Sequence, residues 1–271
     1  MYLEYYGLKE PPFELTPNPR FLFFSGKHRE AFNHLLYGIR EHKGFVQLTG
    51  EIGAGKTTIC RAMLEALGDS WASALIFHPP PDPDLLWKAV AIEFGLEVAG
   101  LDAPQLRAAL NRFLVAQAAA GRDAVLILDE AQTLSPELLE QIRLLSNLET
   151  EDRKLLQIVL MGQPELRDRL EHPALRQLRQ RITVRYHLPA LTRAELWPYI
   201  QHRLVVSGAT GTFYFSAGAL WRIYDYSRGI PRLINAVCDR CLLAGYVEQR
   251  DGIAYRMVGR AIRELEGKIK V

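Results

Sequence analysis

The chain has 271 residues, of which 48% are apolar and 24% charged, with a formal charge of +2. This is ordinary for a soluble globular protein and leaves room for one large domain or two modest ones. A charge so close to balance announces neither nucleic acid nor membrane binding, although charge is segregated locally in "RQLRQRITVRYH" (176–187).

Only three cysteines occur, Cys60, Cys238 and Cys241. The last two form "CDRC" inside an expected helix with no second Cys/His pair for zinc, so they read as packing thiols in a reducing compartment. The start "MYLEYYGLKEPPF" has no basic segment leading into a long apolar core, and no stretch reaches the ~18 apolar residues of a membrane span. The expected location is cytoplasmic, with any membrane association peripheral and through partners.

Pro11, Pro12, Pro17 and Pro19 stand among aromatic residues in the first 25 positions. They predict an extended arm whose rings pack on a folded body, not a helix. Apolar residues at 32, 35, 36 and 39 then give a helical stripe over 28–42. Strands are expected at 45–49, 73–78, 124–128, 155–161 and 182–188, and helices near 56–67, 83–95, 104–120, 135–149 and 164–170. Such alternation argues for crossover units and a parallel sheet covered on both faces. After "LPALTR" (188–193) the strand signal stops, and helices are expected near 193–207, 216–227, 230–248 and 253–268. The division is thus an arm and helix packing on the core (1–43), an α/β domain (44–190) and a helical domain (191–271).

"GEIGAGKTT", from Gly50 to Thr58, fits G-x-x-x-x-G-K-[ST] in full between an expected strand and an expected helix, the context this phosphate-loop motif demands. Gly50, Gly53 and Gly55 let the backbone curl past Glu51 and Ala54, so that successive N–H groups face phosphate oxygens at a helix N-terminus. Lys56 can reach the β and γ phosphates, and the Thr57 hydroxyl can ligate Mg2+, with Thr58 following in the same turn. In "VLILDEAQ" (125–132) an apolar strand delivers Asp129 and Glu130 to its carboxyl end, where open parallel sheets bind ligands. Asp129 suits the metal shell and Glu130 the orientation of an attacking water. Further on, "SRGIPRLIN" (227–235) puts Pro231 in the first turn of a helix, where it costs little. Arg232 then sits at the positive end of that helix, a place that suits a cation only if an external anion is present.

With these motifs in view, the chain resembles the AAA+ ATPases, and more narrowly the general secretion pathway protein A family with its relatives in pilus and exopolysaccharide assembly. The resemblance rests on "YYGLKEPPFELTPNPRFLFFSGKHREAFNHLLYGI", "GEIGAGKTT", "ILDEAQ", "MGQPEL", "LRQRI" and "SRGIPRLIN". It implies an α/β fold: a five-stranded parallel sheet in order 5-1-4-3-2 with a C-terminal helical lid, and ATP bound between lid and sheet. It also implies that Gln163 is a polar sensor at the end of the fourth strand, bonding the attacking water or the γ phosphate, that Arg232 is a second sensor reaching from the lid to the γ phosphate, and that an arginine finger acts in trans within a homo-oligomer. Arg181 is favoured for the finger as nearest the strand edge, with Arg176 and Arg179 left open. Phe24 or a neighbour would pack the adenine with His28 nearby, while Phe21 and Phe23 are more simply core residues. His78, at a strand end, is a lone histidine that is more simply structural.

The function implied is Mg-dependent ATP hydrolysis that drives or switches envelope assembly, with secretion, pilus or polysaccharide-export proteins as partners. Two readings compete with it. A DNA-dependent AAA+ transposition regulator would use the arginine-rich 176–193 region on duplex DNA. A nucleotide-gated scaffold would scarcely turn over.

Overall fold

The computed structural model describes residues 2–146, 154–209 and 213–268. In chain order they form α1 (Tyr2–Tyr5), α2 (Gly26–Arg40), β1 (Phe45–Gly50), α3 (Lys56–Leu67), β2 (Trp71–Ile76), α4 (Pro83–Glu93), α5 (Ala103–Ala119), β3 (Asp123–Leu128), α6 (Pro136–Leu145), β4 (Leu156–Gly162), α7 (Glu165–Leu170), α8 (Arg176–Arg181), β5 (Ile182–Leu188), α9 (Arg193–Val206), β6 (Tyr214–Phe215), α10 (Ala217–Ser227), α11 (Pro231–Val247), β7 (Gly252–Ile253) and α12 (Tyr255–Leu265). They group into an α/β unit, Arg29–Gly50 with Ile59–Leu188, and a helical unit, Met1–His28 with Glu51–Thr58 and Pro189–Val271.

In the α/β unit the five strands run parallel in the order β2-β3-β4-β1-β5, the expected order read from the other edge. β1 and β4 are buried along their whole length because both faces of a parallel sheet are covered, and their sequences are mostly apolar, with Gln47, Thr49 and Gln157 the buried polar exceptions. On one face Leu126, Leu128, Ile158 and Leu160 pack with Leu138, Leu139 and Ile142 of α6. On the other, α2 comes so close that a Cβ added at Gly38 would lie 2.5 Å from Val46 Cγ2. β5 is an edge strand and alternates, with Ile182, Val184 and Leu188 buried and Thr183, Arg185 and His187 exposed.

The helices start where side chains satisfy first-turn N–H groups. Asp82 caps α4, Asp102 and Gln105 form a capping box on α5, and Ser135 caps α6, each ahead of a proline in the first turn. β2 begins and ends two residues before the expected strand, so His78 lies beyond it. Its last carbonyl, Ile76 O, accepts from Asp129 N at 2.9 Å, and Pro79–Pro81 have no N–H to extend the ladder. The expected helix over 135–149 is α6 as far as Leu145, and positions 147–149 lie outside the described residues.

The helical unit departs from the sequence expectation in two respects. A short parallel ladder joins Tyr214 to Gly252 and Phe215 to Ile253, where no strand was expected. Two residues per strand carry no periodicity to detect. The arm also differs. It opens on the single helical turn α1, and Tyr6, Leu8 and Phe13 join the core of the helical unit with Ile200, Ile234, Val237 and Cys238, whereas the arm was expected on the α/β core. Arg203 of α9 fixes it there. The residue is 7% exposed, and its guanidinium donates to the carbonyls of Pro12 and Glu14 and lies 4.7 Å from the Phe21 ring centroid. Cys238 and Cys241 are buried and unbridged, and burial pushes the Cys241 thiol up to about 12, in keeping with a packing role.

Candidate functional site

The glycine loop takes its shape from backbone that other residues adopt poorly. Gly53 and Gly55 have φ of +78° and +102°, the left-handed side where a Cβ is strained. Ala54 N donates to Glu51 O at 3.1 Å, closing a turn, and α3 begins at Lys56 immediately after it. Lys56 is 6% exposed, and its amine folds back to donate to Glu51 O at 3.1 Å. A loop of this kind, ending in a helix N-terminus with a buried amine beside it, is a place for an anion.

Two elements of the helical unit hold that loop. The first is His28, which is buried. Its Nε2 meets Ala54 O at 3.1 Å and its Nδ1 meets Ser25 Oγ at 2.8 Å. A carbonyl only accepts, so Nε2 carries the proton and Nδ1 accepts from the serine hydroxyl, which fixes a neutral ring. Burial lowers the His28 pKa below 6.5, against smaller opposing effects of the Ala54 carbonyl and Glu195. The second is the start of α11. Arg232 N, one of the first-turn donors without an intrahelical partner, donates to Gly53 O at 3.2 Å. A Cβ on Gly53 would lie 2.4 Å from Arg232 Cβ, so the contact requires glycine. Arg232 therefore sits on the phosphate loop through its backbone, while its side chain is exposed.

In the α/β unit, Asp129 and Glu130 follow β3 directly. Asp129 is 4% exposed, and one of its oxygens accepts from Glu130 N at 2.9 Å. Glu130 adopts φ +52°, ψ +32°, a left-handed conformation uncommon for a residue with a side chain. Its Oε2 accepts from Gln132 Nε2 at 2.5 Å and from Gln163 Nε2 at 3.1 Å, and Gln163 N donates to Gln132 Oε1 at 3.0 Å. A Cβ on Gly162 would fall 2.5 Å from Gln132 Oε1, so the glycine before Gln163 makes room for this network. Gln132 was not singled out from the sequence, although it closes "ILDEAQ"; nothing in spacing alone distinguishes it from a helix-start residue.

The remaining candidates are dispersed. Arg181 donates to Ser146 Oγ at 2.8 Å, Arg179 pairs with Glu171, and Arg176 is exposed on α8. Phe21 is buried beneath Arg203, Phe23 packs edge-on to Tyr199 at 5.9 Å, and Phe24 is 40% exposed. No group of three or more His, Cys, Asp or Glu placed to hold a metal occurs among the described residues. The Thr57 hydroxyl of the loop and, separately, the Asp129 carboxylate of the α/β unit are each hard oxygen donors of the kind that Mg2+ takes together with phosphate and water.

Residues 39–170 match a family described as AAA domain. The chain is 44% identical over 270 residues to general secretion pathway protein A of Aeromonas hydrophila, a match that takes in 98% of the chain and 49% of the relative. It therefore spans about half the length of that relative. Among solved structures it resembles the ORC2 protein of Aeropyrum pernix in ADPNP-ADP complexes, with 18% identity, 91% and 68% of the two chains covered and a TM-score of 0.66. It also resembles Drosophila ORC bound to DNA, with 15% identity, 98% and 66% covered and a TM-score of 0.69. At these identities the likeness is one of fold.

Proposed function

We propose, for a chain that belongs to the AAA+ P-loop ATPases, that it binds Mg·ATP and hydrolyses it to ADP and phosphate, and that assembly into a homo-oligomer controls the rate. The observation that carries this reading is the carboxylate of Glu130, held by the amides of Gln132 and Gln163 at the end of a buried parallel strand, in a chain with a complete phosphate loop. Gly50, Glu51, Gly53, Ala54, Gly55 and Thr58 cradle the phosphates with backbone N–H groups, and Lys56 neutralises the β and γ oxygens. Thr57 and Asp129 hold the metal, whose chemistry is to neutralise charge developing on the phosphates. Glu130 orients the attacking water and takes up its proton, Gln163 positions that water, and Arg232 reads the γ phosphate from α11. Phe24 packs the base. Arg181 of a neighbouring copy is the favoured finger, with Arg179 and Arg176 as the other candidates.

The relatedness to general secretion pathway protein A supports a role in assembling an envelope secretion, pilus or polysaccharide-export system, with proteins of that system as partners. No helix among the described residues is long and apolar enough to cross a membrane. The test is phosphate release with Glu130→Gln. Turnover should drop by two orders of magnitude or more, about what loss of a positioned general base costs, while fluorescent ATP still binds. Full turnover in that variant would sink the hydrolytic assignment. Duplex DNA added to the wild type should leave the rate unchanged; a stimulation that fades steeply with salt would instead favour the DNA-dependent reading.

A further inference from the structure

Away from the glycine loop, the α/β unit contains a polar slot that the reading above does not use. Residues 45, 47 and 49 of β1 share one face of the sheet because side chains alternate along a strand. Phe45 belongs to the apolar core, yet the next two are Gln47, 5% exposed, and Thr49, 1% exposed. Both line a cavity of about 330 Å3 bounded by α7, α8 and the open face of β5. Its walls carry Arg167, Arg179 and Arg185 against one carboxylate, Glu171.

Part of this set is already committed. Arg179 pairs with Glu171, Arg185 donates to Arg179 O at 2.6 Å, and Thr49 Oγ1 and His187 Nδ1 share a hydrogen bond of 3.1 Å. Two groups are not: among the described residues neither the Gln47 amide nor the Arg167 guanidinium has a hydrogen-bond or ion-pair partner. Gln47 opens onto a cavity with net positive walls, in the size range of small-molecule sites.

We propose that this slot binds a small organic phosphate, its anionic group held by the Arg167 guanidinium and the Gln47 amide with Arg185 alongside. Guanidinium forks suit phosphate oxygens, and a volume larger than a bare phosphate needs leaves space for an organic body. The test is calorimetric titration of the full chain in a Lys56→Ala background, which weakens phosphate binding at the glycine loop. Inorganic pyrophosphate and AMP serve as probes. Saturable heat at one site per chain is expected with at least one of them, and Arg167→Ala should weaken it by about ten- to a hundredfold, the usual effect of removing a charged donor. Gln47→Leu should weaken it as well. Arg167 is exposed on α7, so Arg167→Ala and Arg167→Glu should leave the melting temperature unchanged and decide the matter even if the Gln47 variant does not fold. Absence of heat with both probes, or heat that survives Arg167→Glu, would overturn the proposal. Neither result bears on hydrolysis at the glycine loop.

Discussion

At Glu130 the backbone bends into a conformation that side chains rarely adopt, and the carboxylate is held by two glutamine amides. Strain of this kind, worth ~1–3 kcal/mol, persists only where the surroundings enforce it. Gln132→Leu removes one of those amides and the acceptor for Gln163 N. It should lower turnover without abolishing ATP binding, measured as a fall in kcat with KM little changed. His28 permits a second prediction at this scale. Its folded pKa lies below 6.5 because burial disfavours the charged ring, so the unfolded chain binds the extra proton more readily. Stability attached to the neutral ring is therefore present above pH ~6.5 and is lost as pH falls below it toward the folded value. Urea unfolding between pH 7.5 and 5.5 should show that loss, and His28→Asn, which keeps a donor without titrating, should show a shallower one.

Among the elements, α11 shows how a helix end is used twice. Its unpaired first-turn N–H groups need acceptors, and Gly53 O supplies one, which ties the phosphate loop to the helix bearing Arg232. Gly53→Ala puts a methyl 2.4 Å from Arg232 Cβ and adds a side chain at φ +78°. Nucleotide binding should weaken at least tenfold while far-UV circular dichroism is retained, because the change strains one contact and leaves both cores intact. An unaltered affinity would show that the loop does not depend on its seat against α11. In the α/β unit, the burial of β3 fixes where the acids emerge: its run Ala124–Leu128 is wholly apolar because both faces are covered, so Asp129 and Glu130 mark its end.

Over the whole molecule, the decisive packing choice is the arm. Tyr6, Leu8 and Phe13 complete the core of the helical unit, and Arg203 binds two arm carbonyls with no carboxylate partner among the described residues. Arg203→Met keeps the stem but removes the donor of Pro12 O, at about 1–3 kcal/mol, and leaves Glu14 O with only the long 3.4 Å bond from Asn235 Nδ2. A lower melting temperature and faster proteolysis within the first 25 residues are expected. Wild-type stability in that variant would mean that the arm is held by its aromatic residues alone. At the same scale, hydrolysis completed by a neighbour's arginine makes specific activity rise with protein concentration, and activity per chain that stays flat from nanomolar to micromolar would exclude the trans finger.

The sequence by itself determined the alternation of strands and helices, the phosphate loop, the acid-ended strand and the helix opened by Pro231, while the strand order came from the family resemblance. Each of those four is written in local signals, whether periodicity, a glycine at a forced φ or a proline without an N–H, that act over a few residues and need no knowledge of distant neighbours. Only the tertiary structure decided that Gln132 bridges Glu130 to Gln163, that α11 grips Gly53 through a backbone N–H, that the arm belongs to the helical unit, and that Gln47 faces a cavity. Those outcomes depend on which surfaces meet, and an amide or an aromatic ring has no sequence signature for the partner it will find 30 or 200 positions away.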